Sequence, residues 1–244
     1  MKRLAVVTGV SGSIGTAVAS VMRAAGWEVA GIDRQESGAG HCDRFVQLDL
    51  SRWRDIGAAL RELVGDDPVS ALINNAGVQF VQPVESISDQ ALEDIFAVNA
   101  FAPIVAVRSV SANLEAAHGA VVNVASIHAT ATSRGMAAYA ASKAALTGFT
   151  RGAALDMGRA GVRVNAVLPG AVDTQMLRGG LIARAGGVEA GLAQLARATP
   201  LGRVGQPEEI ANLVVYLCEA DQSSFITGQC FVIDGGATAR LGTE

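Results

Sequence analysis

Cysteine is scarce in this 244-residue chain: Cys42, Cys218 and Cys230 are odd in number and none belongs to a C-x-x-C spacing. That excludes a disulfide framework, suggests no zinc or other metal site, and fits a reduced, cytoplasmic setting. Charge is scarce as well. Only 17% of residues are charged and the net charge is −4, so nothing electrostatic points to nucleic acid or an anionic membrane as partner. No apolar run approaches the 18 residues a membrane span needs. The apolar stretch after Met1-Lys2-Arg3 stops at Thr8-Gly9 without an A-x-A-like site, so it reads as a first β-strand rather than a signal peptide. Linkers, internal repeats and low-complexity tracts are missing too. With half of its residues hydrophobic, the chain has the composition of a folded domain with a large core, and disorder is excluded.

What is present is an alternation. Short β-branched runs at Leu4–Thr8, Glu28–Asp33, Phe45–Asp49, Ala71–Asn74, Ala120–Ser126, Arg163–Leu168 and Cys230–Ile233 alternate with Ala-rich stretches. The runs are nearly continuously apolar, the pattern of strands covered on both faces of a parallel sheet. Helices are expected over about 13–26, 51–64, 88–114, 137–159 and 207–219, the last begun by Pro207 with Glu208 and Glu209 at the positive end of its dipole. The reading is one doubly wound α/β domain over residues 1–244. The stretch from Thr174 to Pro200 exceeds the usual βα connection and follows a strand's carboxyl end, which makes it a candidate lid.

Lysine and tyrosine are the scarcest chemistry-bearing types, two of each, and one of each sits in Tyr139-Ala-Ala-Ser-Lys143. Chance gives such a pair about 2% of the time, within the false-positive risk of any short motif. Four residues apart on a helix, the side chains share a face. An ammonium there is expected to lower the phenol's pKa from its ordinary value near 10 and fit it for general acid–base catalysis.

A second feature is the turn Thr8-Gly9-Val10-Ser11-Gly12-Ser13-Ile14-Gly15 between the first strand and a helix. Glycines admit a pyrophosphate to the backbone, and the helix N-terminus offers unpaired N–H groups. The turn alone is equally consistent with a simple tight turn. Asp33, 18 residues beyond Gly15, strengthens the nucleotide reading, because an acid closing the second strand can bond the adenosine ribose hydroxyls. Its charge also repels a 2′-phosphate, so NAD is expected over NADP, although Arg34 beside it can accommodate that phosphate.

With these motifs in order, the chain resembles the short-chain dehydrogenase/reductase family along essentially its whole length. The resemblance rests on the glycine turn, Asp49-Leu50, Asn74-Asn75-Ala76-Gly77, and Asn99 within Val-Asn-Ala-Phe. It continues through Ser126 thirteen residues before Tyr139, the Tyr139–Lys143 pair, and Pro169-Gly170-Ala171-Val172-Asp173-Thr174. It implies a Rossmann-type seven-stranded parallel sheet in three α/β/α layers and a homotetramer. Tyr139 matches the catalytic acid–base, Lys143 the residue that tunes it and holds the nicotinamide ribose, Ser126 the hydroxyl on the substrate oxygen, and Asn99 the residue that positions a relay water. Gly9, Ser11, Gly12, Ser13, Ile14 and Gly15 would cradle the cofactor, with Asp33 and Arg34 at its ribose and Asp49 and Leu50 flanking its adenine. Asn75, Ala76, Gly77, Pro169, Gly170, Val172 and Thr174 would complete that site. Two departures stand out: Ser13 replaces the pattern's glycine, and Ala125 replaces a serine common beside the catalytic one.

Plainer readings exist for several of these residues. Asn74 and Asn75 could be turn formers, Ser126 a strand-end hydroxyl, Asn99 a helix-kinking residue, and Asp49 a helix cap. The implied reaction interconverts a small secondary alcohol and a ketone, on a sugar, polyol or cyclic alcohol. The alternatives are reduction of a 3-oxoacyl thioester on acyl carrier protein, and a non-catalytic NAD-binding protein. Substrate contacts are expected from Gln79, His128, Ala129, Met136, Met176 and Leu177, with His128 equally readable as a solvent-facing loop residue.

Overall fold

The computed structural model describes residues 3–182 and 186–239. Its strands β1 (Leu4–Thr8), β2 (Glu28–Asp33), β3 (Arg44–Gln47), β4 (Val69–Asn74), β5 (Ala120–Val124), β6 (Arg163–Pro169) and β7 (Cys230–Ile233) form one sheet ordered β3-β2-β1-β4-β5-β6-β7. Every neighbouring pair is parallel. Parallel neighbours cannot be joined by hairpins, so the connections cross over the sheet, all but one through α-helices; β2 and β3 are joined by a short 3-10 turn at Glu36–His41. The helices are α1 (Ser13–Ala24), α2 (Ile56–Val64), α3 (Asp89–Phe96), α4 (Ala102–Ser109), α5 (Ser111–Ala117), α6 (Ala137–Met157), α7 (Gln175–Leu181), α8 (Gly187–Ala198), α9 (Pro207–Cys218) and α10 (Ala220–Ser223).

Side-chain alternation splits the core into two layers. Leu4 and Val6 of β1 face a cluster with Ile56, Leu60 and Leu63 of α2 and Val105 and Ala106 of α4. Ala5 and Val7 face the opposite cluster, with Val18 and Met22 of α1 and Ile210, Val214 and Leu217 of α9. Because both faces are covered, the strands read as unbroken apolar runs rather than alternating ones. The order reverses between β1 and β4, and there the crevice opens outside the strands' carboxyl ends.

Three expected elements differ. The helix over 88–114 is broken into α3, a π-turn at Ala97–Phe101, α4 and α5. Pro103 carries no N–H and so cannot donate to the carbonyl of Asn99 four residues back, where a regular helix needs it. Strand β3 ends at Gln47 rather than Asp49 because Asp49 bends the chain, its Oδ1 accepting from Ser51 N at 2.9 Å. The stretch 174–200 carries the helices α7 and α8. The tail beyond Ala239 lies outside the described residues. The stretch Asp89–Ser109 is long and apolar enough by composition to cross a bilayer, but 56% of its most apolar window is buried in the fold, as suits a core helix.

Candidate active site

The crevice is a cleft of about 1350 Å³ running from Asp33 past the glycine turn to Ser126 and Tyr139. Its floor is knitted by Thr8 and Asn75. The Thr8 hydroxyl accepts from the amides of Asn75 and Ala76, both at 3.1 Å, and Asn75 Nδ2 donates to the carbonyls of Thr8 and Gly9, both at 3.0 Å. Asn75 therefore fastens the turn as well as lining the cleft. Thr8 opens the turn motif in the sequence but was not among the expected site residues; its place at the head of that motif was the signal. Asn74 points away into the core, donating to Asn123 Oδ1 at 2.8 Å.

The turn needs its glycines. Gly9 has φ +69°, and a Cβ on it would stand 2.8 Å from Ala76 Cα. A Cβ on Gly15 would stand 2.1 Å from Gly9 O. Gly15 is absent from the cleft lining, so it serves close packing beneath the turn rather than contact with a ligand. Ser11, Gly12, Ser13 and Ile14 do line the cleft, at the N-terminus of α1. Asp33, nearly buried, accepts from Ser11 N and Gln35 N, each at 2.9 Å. The acid thus also orders the turn it was expected to complement. Arg34, Asp49 and Leu50 border the same end.

Opposite, the end of β6 brings Pro169, Gly170, Val172 and Thr174 to the wall. Gly170 passes so close to Asp234 that a Cβ would lie 2.8 Å from its Cα. The Thr174 hydroxyl caps α7, accepting from Leu177 N at 3.1 Å. Ser13, the departure from the glycine pattern, reaches across the cleft: its Oγ accepts from Gln175 N at 3.3 Å.

At the inner end Ser126, Tyr139 and Lys143 are all buried yet line the cleft. Lys143 Nζ donates to Val124 O at 2.9 Å and lies 5.8 Å from the Tyr139 ring centroid. Burial holds the ammonium down at about 8. The expected lowering of the phenol by that ammonium is not what the structure gives. Burial raises Tyr139 above its ordinary value, and only the neighbouring Ser126 hydroxyl pulls the other way. Helical spacing put the pair on one face; loss of hydration, which spacing does not report, sets the direction.

Asn99 lies wholly buried behind the cleft wall. Its Oδ1 accepts from Val78 N at 2.9 Å, and its Nδ2 donates to Val78 O at 2.9 Å and to Ser142 Oγ at 3.0 Å. The side chain is thereby fully engaged, and the carbonyl that Pro103 leaves without its helical donor is the group it can still offer. Gly77 lines the cleft close by: a Cβ there would come 3.3 Å from Lys143 Nζ. Among the predicted substrate contacts, Gln79, His128, Met136, Met176 and Leu177 line the cleft. Ala129 does not; it packs below against the cluster of Leu146 and Leu168. Among the described residues no three metal-ligating side chains converge.

A dinucleotide suits this arrangement on three counts: backbone N–H groups at a helix N-terminus, close-packed glycines and an acid at one end. The other end offers two hydroxyls beside an amine, the parts of a proton-transfer site.

Residues 9–238 match the family described as enoyl-(acyl carrier protein) reductase. A cyclopentanol dehydrogenase of Comamonas sp. is 36% identical, over 85% of this chain and 80% of its own. The 3-oxoacyl-[acyl-carrier-protein] reductase of Escherichia coli is 31% identical, over 96% of each chain. Among solved structures, the ligand-free aldohexose dehydrogenase of Thermoplasma acidophilum superposes with a TM-score of 0.92 at 27% identity, covering 100% of this chain and 96% of that one.

Proposed function

The chain belongs to the short-chain dehydrogenase/reductase family of oxidoreductases, and from that premise we propose that it interconverts a small uncharged secondary alcohol and its ketone, using NAD in preference to NADP. The observation that carries the reading is the convergence of Ser126, Tyr139 and Lys143 at the buried end of a cleft whose other end holds Asp33. A nicotinamide cofactor held by residues 11–14, Asp33 and the residues after β6 would supply the acceptor or donor for the carbinol hydride. The chain's own part is to bind, to orient and to move one proton.

In oxidation, Tyr139 Oη receives the hydroxyl proton as the carbonyl forms, and in reduction it gives that proton back. Ser126 accepts from His128 N at 3.2 Å, and its own O–H is left to serve the Tyr139 phenol and the substrate oxygen that meets it there. Lys143, fixed by Val124 O, holds its Nζ behind the phenol. There its N–H groups stand between the phenol and the Asn99 side of the site and can carry protons in that direction. Asp33 meets the ribose hydroxyls and disfavours a 2′-phosphate. The segment 174–200 acts as lid, its first turn held by Ser13 on one side and by Gln79, whose Nε2 donates to Met176 O at 3.2 Å, on the other.

The protein is further read as a cytoplasmic homotetramer. Leu155, Phe225 and Val232 stand exposed on the described surface, Phe225 completely, which suits burial against further copies. Light scattering in solution tests that state. For the reaction, Tyr139→Phe should lose turnover by at least 10²–10³-fold while still binding NAD. Near-normal activity would overturn the mechanism. A panel of cyclic alcohols, polyols and an acetoacetyl thioester, read with both cofactors, separates this activity from thioester reduction; a preference for NADPH with the thioester would favour the latter.

A further inference from the structure

The inner end of the cleft contains one imidazole whose surroundings the hydride-transfer chemistry does not use. Ser126 caps the short turn Ile127–Ala129 by accepting from His128 N, so the His128 ring starts two residues from the reacting hydroxyl. Two contacts then fix its plane. Nδ1 stands 2.8 Å from Thr132 Oγ1, and the ring meets that of Tyr139 edge-on, with centroids 5.5 Å apart at 75°. With Nδ1 engaged, Nε2 is the ring's one remaining polar atom. Burial lowers the imidazole below its ordinary value, so at pH 7 it is a neutral hydrogen-bonding group.

The surrounding lining is uncharged. Gln79, Ser133, Met136 and Met176 border this end. Among the described lining residues the cations are Arg34, at the Asp33 end, and Lys143, bonded to Val124 O. A carboxylate or phosphate on the substrate would therefore find no free cation among them, whereas a hydroxyl would find a fixed partner.

We infer that His128 Nε2 binds a second oxygen of the substrate, next to the reacting carbinol, and that the substrate class is the uncharged vicinal diol or hydroxyketone. Thr132 is then a positioning residue that sets which ring nitrogen faces the cleft. This rests on the hydride-transfer reading of the same cleft.

The test compares cis-1,2-cyclohexanediol with cyclohexanol under NAD. The wild-type protein should favour the diol. His128→Ala should lose about 10–100-fold more in kcat/KM on the diol than on cyclohexanol. Asparagine mimics Nδ1 and glutamine mimics Nε2, so His128→Gln should recover part of the diol activity and His128→Asn should not. Recovery by asparagine alone, or an equal fall on both substrates, would mean that the ring only ties the loop to Thr132 and would overturn the inference. A readout independent of turnover uses the three histidines of the chain. In Tyr139→Phe protein loaded with NADH, adding the diol should shift the His128 imidazole ¹⁵N resonances and cyclohexanol should not. That shift alongside full Tyr139→Phe activity would overturn the hydride-transfer mechanism and leave the His128 assignment standing; no shift would overturn the assignment.

Discussion

Lys143 should make the protein less stable than it could be, by an amount the structure lets us work out. The ammonium is buried at 3% exposure, and its pKa falls from 10.5 to about 8. At pH 7 it is charged in both the folded and the unfolded chain, and burying that charge costs about 3 kcal/mol. Replacing it by methionine removes the cost but leaves the Val124 carbonyl without its donor, which returns about 1 kcal/mol. Lys143→Met should therefore be more stable than wild type by about 2 kcal/mol at pH 7, or roughly 4–8 °C in Tm for a chain of this size, while losing its turnover. The pH dependence has a definite sign. Above pH 8 the folded lysine gives up its proton while the unfolded one keeps it up to 10.5. The unfolded state then binds more protons, and wild-type stability rises with pH by up to about 1.4 kcal/mol per unit. The methionine variant lacks this rise, so its advantage should shrink above pH 8 and nearly vanish by pH 9.5. Thermal and urea unfolding of both proteins at pH 7, 8.5 and 9.5 measure the difference. A variant no more stable than wild type at pH 7, or an advantage constant across that range, would refute the burial argument.

Three further outcomes follow from the cofactor end. Asp33→Asn removes a charge and keeps an acceptor, and Arg34 and Arg52 line an adjoining hollow of about 590 Å³. The NADP-to-NAD ratio of kcat/KM should rise roughly 30–100-fold, the worth of a like-charge repulsion of about 2–3 kcal/mol; an unchanged ratio would remove Asp33 from cofactor choice. Gly15→Ala puts a Cβ 2.1 Å from Gly9 O, so NAD binding, read by calorimetry, should fall more than about 100-fold with the circular dichroism unchanged. Ser13→Gly restores the family's usual residue but cuts the contact to Gln175 N; hydrogen exchange of the 175–181 amides should speed up several-fold, and unaltered exchange would mean that Ser13 does not hold the lid.

The sheet was legible in the sequence because parallel strands covered on both faces read as apolar runs, and all seven expected strands overlap the observed ones within two residues at each end. Strand β3 ends two residues earlier than expected because Leu48 continues the apolar signal while Asp49 turns the chain. The π-turn after Phe96 was written in a single residue, Pro103, whose missing N–H matters only once the carbonyl of Asn99 is followed four residues back, whereas the break at Val110 has no such mark. Thr8 opens the turn, but nothing in the sequence says that its hydroxyl will receive the amides of Asn75 and Ala76 from the loop after β4.

The pair of scarce residues marks the boundary of what sequence can carry. Spacing brought Tyr139 and Lys143 to one helix face and named the chemistry, since that depends on which groups meet. It gave the wrong direction for the phenol, since protonation depends on what surrounds them. With Val124 O holding Nζ and the side chains buried, the folded chain by itself keeps Tyr139 a phenol rather than a tyrosinate. The proton-accepting state must then be favoured by whatever positive charge enters the cleft, and the oxidised nicotinamide is the cationic form of that cofactor. If so, the base is made when the oxidant binds: Tyr139 should titrate at lower pH with NAD bound than without it, whereas reduced cofactor, which lacks the ring charge, should leave it high. Ultraviolet difference titration of the phenol separates the two, because Tyr216 is the only other tyrosine and a Tyr216→Phe background leaves a single signal. Equal titration with and without NAD would refute this coupling.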